Sequence, residues 1–129
     1  MNQSIFQIAL IIDDYDKAID YYTSVLGFDL VEDTVRSPTK RWVIVRPRGG
    51  SGCKILLAKA KNEEQESRIG NQTGGRVFIF IHTDDIERDY KNLTKHNVAI
   101  VRGPITEDFG KVIVFQDLYG NKWDLIQPL

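Results

Sequence analysis

Apolar runs and amphipathic stretches follow one another along this chain in an order that occurs twice. Residues 5–12 (IFQIALII) form a near-continuous apolar run that ends at Asp13 and Asp14. A run of β-formers stopping at an acidic cap predicts a buried strand entering a helix. From Tyr15 onward, Ala18, Ile19, Tyr22, Val25 and Leu26 recur at three- and four-residue spacing, so one helical stripe faces a sheet, and Gly27 supplies the stop. Further strands are predicted over residues 28–32, 41–46 and 53–59, the last two joined through Gly49, Gly50, Ser51 and Gly52. The first half therefore reads βαβββ.

Residues 60–75 (AKNEEQESRIGNQTGG) are polar and glycine-containing and read as an exposed connection. The order then repeats. Residues 76–82 (RVFIFIH) form a strand, and Thr83, Asp84 and Asp85 cap a helix carrying Ile86, Tyr90 and Leu93 on one face. Strands follow over residues 98–102, 111–116 and 122–127, with Tyr119, Gly120 and Asn121 turning the chain before the last. The pair Asp13–Asp14 recurs as Asp84–Asp85, and Asp14 to Asp85 is 71 positions, which marks an internal repeat. The pattern predicts an α+β fold of two tandem βαβββ modules, at about 1–60 and 76–129, within one domain.

Composition narrows the partners. With 42% hydrophobic and 27% charged residues the chain falls in the globular range, and 129 residues suffice for a core without disulfide or metal support. No apolar run approaches the roughly 20 residues of a membrane-spanning helix, and the opening MNQSIF lacks the features of a signal peptide, so a cytoplasmic location is expected. Seventeen basic and eighteen acidic residues leave a net charge of −1, which gives no footprint for nucleic acid or an anionic membrane and favours a small-molecule partner. Cys53 is the sole cysteine; it excludes intrachain disulfides and thiolate-rich zinc sites and reads as a small strand residue.

The stretches Ala9-Leu10-Ile11-Ile12-Asp13-Asp14, Ala18-Ile19-Asp20-Tyr21-Tyr22 and Leu26-Gly27-Phe28, together with the closing run from Asp117 to Leu125, resemble the signatures of the vicinal-oxygen-chelate superfamily, which holds glyoxalases, extradiol dioxygenases and bleomycin-resistance proteins. The resemblance covers nearly the whole chain. It implies sheets that curl into a cupped, barrel-like cavity holding the ligand site, and commonly a homodimer. Strongly apolar strands that need cover on two faces agree with a homodimer.

The resemblance also implies four inward-facing positions for a divalent metal, typically His, Gln or Glu. Here they fall on Gln7, Leu56, Phe78 and Asp124. An amide oxygen and a short carboxylate separated by two apolar side chains make a poor ligand set, so no metal cofactor is expected. His82 and His96 do not restore one: His82 lies farther along the strand of Phe78, and His96 sits in a helix-to-strand turn where solvation is the ordinary state. His82 is read as bonded to Asp84 or to backbone, with a pocket-rim acid or base as the sharper alternative.

Alternation places Phe78 and Phe80 on one strand face and Gln7, Ala9 and Ile11 on one face of the first strand; Trp42 adds an aromatic wall. Candidate ligand-binding residues are thus Gln7, Trp42, Phe78, Phe80, His82 and Asp124. Trp123 alternates against Asp124 and is assigned to the core. Residues 36–40 (RSPTK) and 106–110 (TEDFG) are placed to act as lids. Asp124 is the candidate catalytic residue: among apolar walls its pKa rises and it becomes a possible base, whereas a partner such as Arg41 or Arg76 makes it a structural ion pair. Three readings remain open: a metal-free protein binding an aromatic or amphipathic small molecule; a lyase or isomerase of the glyoxalase type using Asp124, or a metal held partly by Gln7 and Asp124; and an accessory protein on the same scaffold.

Overall fold

Leu10 and Ile12 are fully buried, and they anchor the first strand, β1 (Gln7–Ile12), which opens a computed structural model describing residues 1–129. Ile5 and Phe6 precede the strand and are exposed, so the apolar run enters the sheet two residues later than its composition suggests. Asp14 then caps helix α1 (Tyr15–Asp20), its extended backbone letting the carboxylate accept the Lys17 N–H at 2.9 Å.

The expected helix does not continue as α. Residues Tyr21–Val25 form a π turn, in which Leu26 N–H reaches back to the Tyr21 carbonyl at 3.2 Å. The Thr23 hydroxyl takes the Ile19 carbonyl at 2.7 Å, a side-chain bond that competes with the backbone ladder. Gly27 ends the segment at φ 75°, and Tyr22, fully buried, stacks on Phe28 at 5.9 Å.

The remaining strands of the first half are β2 (Asp29–Ser37), β3 (Lys40–Arg46) and β4 (Lys54–Lys59). The sheet order is β1-β4-β3-β2, with β1 parallel to β4 and the other pairs antiparallel. Cys53 is exposed and precedes β4 rather than lying in it. The exposed connection carries a short helix, α2 (Glu63–Ser67), capped by Asn62.

The second half holds β5 (Val77–His82), α3 (Ile86–Lys95), β6 (Ala99–Glu107), β7 (Gly110–Gln116) and β8 (Lys122–Pro128) in the order β5-β8-β7-β6, with β5 parallel to β8. Asp85 caps α3 by accepting the Arg88 N–H at 3.1 Å, and Gln127 of β8 accepts the Ile86 N–H at 2.8 Å. The chain divides into two compact units, Met1–Ile69 and Gly70–Leu129, each one mixed four-stranded sheet with helix packed on one face. The α+β architecture of two βαβββ modules is therefore present.

Strands β2 and β6 run five residues beyond the predicted ends at 32 and 102. In consequence residues 36–40 and 106–110 are not lids: Ser37 pairs with Lys40 and Glu107 with Gly110, so both segments are tight hairpin turns.

Candidate functional site

Each sheet turns one face toward its helix and leaves the other open. In the first unit the helix side gathers Leu10, Ile12, Val43, Val45, Ile55 and Leu57, all buried with Ala18 and Tyr22. Period-2 alternation then sends Gln7, Leu56, Ile44 and Trp42 to the open face. The ladders order them: Gln7 pairs with Lys54, Ala9 with Leu56, Ile44 with Leu56, and Trp42 with Thr34. Gln7 and Trp42 thus share a face but occupy different rows, separated by the apolar row of Ala9, Leu56 and Ile44.

Two cations at the Gln7 end were not among the sequence candidates. Lys54 is the direct partner of Gln7, and Arg46 ends β3 one residue beyond the Val45–Ile55 pair, beside Lys54. Lys54 rests its ammonium 6.0 Å from the Phe6 ring, and Arg46 Nε is buried without a hydrogen-bond partner. The alternation that selected Trp42 and Leu56 would have found both.

A groove of about 630 Å³ opens at the other end of this sheet, with Trp42, Leu56 and Ala58 among its walls and Tyr15 of α1 beside them. At its edge Arg41 is held by two carboxylates, Nη1 on Asp16 at 2.8 Å and Nη2 on Asp33 at 2.7 Å. The Arg41 hydrogen bond is the main reason the Asp33 carboxyl titrates below its ordinary range.

In the second unit Trp123 is fully buried on the helix side, as assigned, and stacks on Phe115 at 6.1 Å. Its neighbour Asp124 therefore faces the opposite way, in a row that runs Phe80, Asp124, Val114, Arg102 across β5, β8, β7 and β6. His82 lies on the same face opposite Ile126. Phe80 is 65% exposed. Phe78 falls in a register shift between Val77 and Ile79, so simple alternation with Phe80 does not hold.

Neither Arg41 nor Arg76 is the cation of Asp124. Its charged neighbour is Arg102, whose Nη2 bonds Glu107 at 2.5 Å, and Asp124 Oδ1 is buried with no hydrogen-bond partner. Desolvation raises the Asp124 pKa, opposed by the positive charge of Arg102. The His82 side chain is exposed, and the Asp84 carboxylate is engaged by Arg88 at 2.9 Å. His96 is half-buried at the end of α3, its Nδ1 2.9 Å from the Asn92 carbonyl, and not simply solvated.

The donor set does not fit a divalent metal. Gln7 has an ammonium for its nearest cross-strand neighbour, Leu56 and Phe78 offer no donor atom, and nowhere do three His, Cys, Asp or Glu side chains gather to hold an ion.

Two mixed sheets, each from a βαβββ unit with an open face, define a paired-module α+β protein. The chain matches the family model of the Glyoxalase/Bleomycin resistance protein/Dioxygenase superfamily over residues 4–125, and it belongs to that superfamily. An uncharacterised protein of Shewanella frigidimarina is 53% identical over 128 residues, covering 98% of this chain and 95% of its own. Among solved structures, TnmS3, an antibiotic binding protein from Streptomyces sp. CB03234, is 26% identical with a TM-score of 0.79, covering 99% of this chain and 98% of its own. A superfamily member from Sphaerobacter thermophilus is 29% identical with the same TM-score of 0.79 and covers 98% of each chain. No helix here is long and apolar enough to cross a membrane.

Proposed function

We propose that this protein binds a small aromatic or amphipathic molecule on the open sheet faces, without a catalytic metal and as a homodimer. The observation that carries the reading is the pair of Asp124 and Phe80. A carboxylate oxygen buried without a partner lies beside an aromatic ring that is 65% exposed, and both costs are relieved by one ligand. Its ring covers Phe80, and an amino or hydroxyl group donates to Asp124. That TnmS3 is an antibiotic binding protein supports the same class of ligand.

A thermal-shift screen against flat aromatic compounds bearing amino or hydroxyl groups tests it. A ligand at a hundred times its Kd stabilises the fold by about 2.7 kcal/mol. The stabilisation is expected to vanish in Phe80→Ala and Asp124→Ala variants; a panel that leaves the melting temperature unchanged rejects the reading. Light scattering at micromolar concentration tests the dimer, and a monomer mass rejects it.

A second reading, a lyase or isomerase with Asp124 as base, is favoured by the desolvation that raises its pKa. It requires turnover of glyoxal-type thiohemiacetals that Asp124→Asn abolishes.

A further inference from the structure

We infer that the groove of the first unit is a site for a small organic anion, a flat molecule carrying a carboxylate, sulfonate or phosphate-ester group. All of its lining residues lie in the first unit.

Twelve residues line the groove; four of them, Lys40, Arg41, Lys59 and Lys61, are basic, and none is acidic. The charge of Arg41 is already met by Asp16 and Asp33. The three lysines enter no ion pair. Lys59 rests 6.0 Å from the Tyr15 ring, which also carries the Arg41 guanidinium at 5.3 Å, so two cations share one aromatic ring. Lys40 adjoins Arg41 at the start of β3, and Lys59 ends β4 two residues before Lys61.

Like charges gathered around one concavity repel one another, and an anion among them relieves the repulsion. The chain as a whole carries a net charge of −1, and the concentration of positive charge is therefore local. A cleft lined by one sign of charge focuses its field on a counter-ion. Trp42 offers a ring for stacking, and the volume of about 630 Å³ suits a drug-sized molecule. A single concavity, as opposed to an extended basic stripe, selects a small anion over nucleic acid.

Trp42 reports on the site. The other tryptophan, Trp123, is fully buried with its indole N–H bonded to Asp117 at 2.9 Å. The full chain is titrated with naphthalene-2-sulfonate and, separately, with the neutral naphthalene-2-sulfonamide, while the Trp42 indole N–H resonance is followed by NMR. A saturable shift is expected with the sulfonate, with affinity at least about tenfold above that of the sulfonamide. The Lys59→Ala/Lys61→Ala double variant is expected to weaken sulfonate binding by roughly three- to thirtyfold. Lys61→Glu alone, at an exposed position where folding is not at stake, weakens it in the same direction. Equal binding of sulfonate and sulfonamide, absence of a saturable shift, or undiminished affinity in the lysine variants overturns the inference.

Discussion

Lys54 lies directly opposite Gln7 in the parallel ladder of β1 and β4. A divalent ion on the Gln7 amide would have the like-charged Lys54 side chain as its cross-strand neighbour, and the two charges repel. Calorimetric titration with Ni²⁺, Zn²⁺ or Mn²⁺ is expected to show no binding tighter than about 1 mM. One-to-one binding at micromolar concentration, lost in Gln7→Ala, contradicts this.

Asp124 gives the second unit a pH dependence whose sign follows from its burial. Its folded pKa is raised above the ordinary aspartate value, so between the two the folded state holds the proton more firmly than the unfolded chain. Stability attributable to this group is full below the unfolded value and falls as pH rises through the folded one. The Asp124→Asn variant removes that fall and is expected to melt roughly 1–3 °C higher than the parent at neutral pH. Melting curves from pH 3 to pH 7 decide it. A variant that melts lower at every pH shows that the carboxylate is paired and stabilising.

The units were legible where local chemistry decides structure. Asp14 and Asp85 announce their helices because a carboxylate before an amphipathic stripe has one good use, and Gly27 marks its stop because a left-handed φ excludes most side chains. The lengths of β2 and β6 were hidden because these edge strands bury little on either face and alternate poorly. The position of Phe78 was hidden by a bulge, which no composition signals. Arg46 and Lys54 were readable by period 2, but neither cation can ligate a metal or wall an apolar cavity, the two roles the resemblance points to. The Asp124–Arg102 neighbourhood depends on the β6–β7 register, fixed by tertiary pairing across two register shifts.

Gly110 and Gly50 both hold a positive φ, yet they differ in what surrounds them. A Cβ on Gly110 would stand 2.2 Å from the Gln127 carbonyl oxygen, whereas one on Gly50 would meet nothing within 4 Å. Gly110→Ala must therefore push β7 off β8 and is expected to cost about 3 kcal/mol or more. Gly50→Ala bears only the backbone strain, about 1 kcal/mol. Urea unfolding of the two variants measures the difference, and equal losses would mean that β8 yields freely at Gln127.

Asp117 closes the turn that precedes β8. Buried at 6% exposure, its carboxylate accepts the N–H groups of Tyr119 and Asn121, the Asn121 amide and the Trp123 indole, all between 2.9 and 3.0 Å. Removing the acceptor leaves several donors desolvated and unpaired, so Asp117→Ala is expected to lose about 3–5 kcal/mol. Asp117→Asn keeps the shape but turns a donor toward donors on one side, and it should recover part of the loss. Trp123 is fixed by this bond and carries Asp124 on the opposite face as the next residue. The alanine variant should therefore weaken any ligand held by Asp124 as well as the fold. Denaturant midpoints and ligand affinities measured on the same variants test the coupling: a large stability loss with affinity unchanged would show that Asp124 keeps its place without the Asp117 turn.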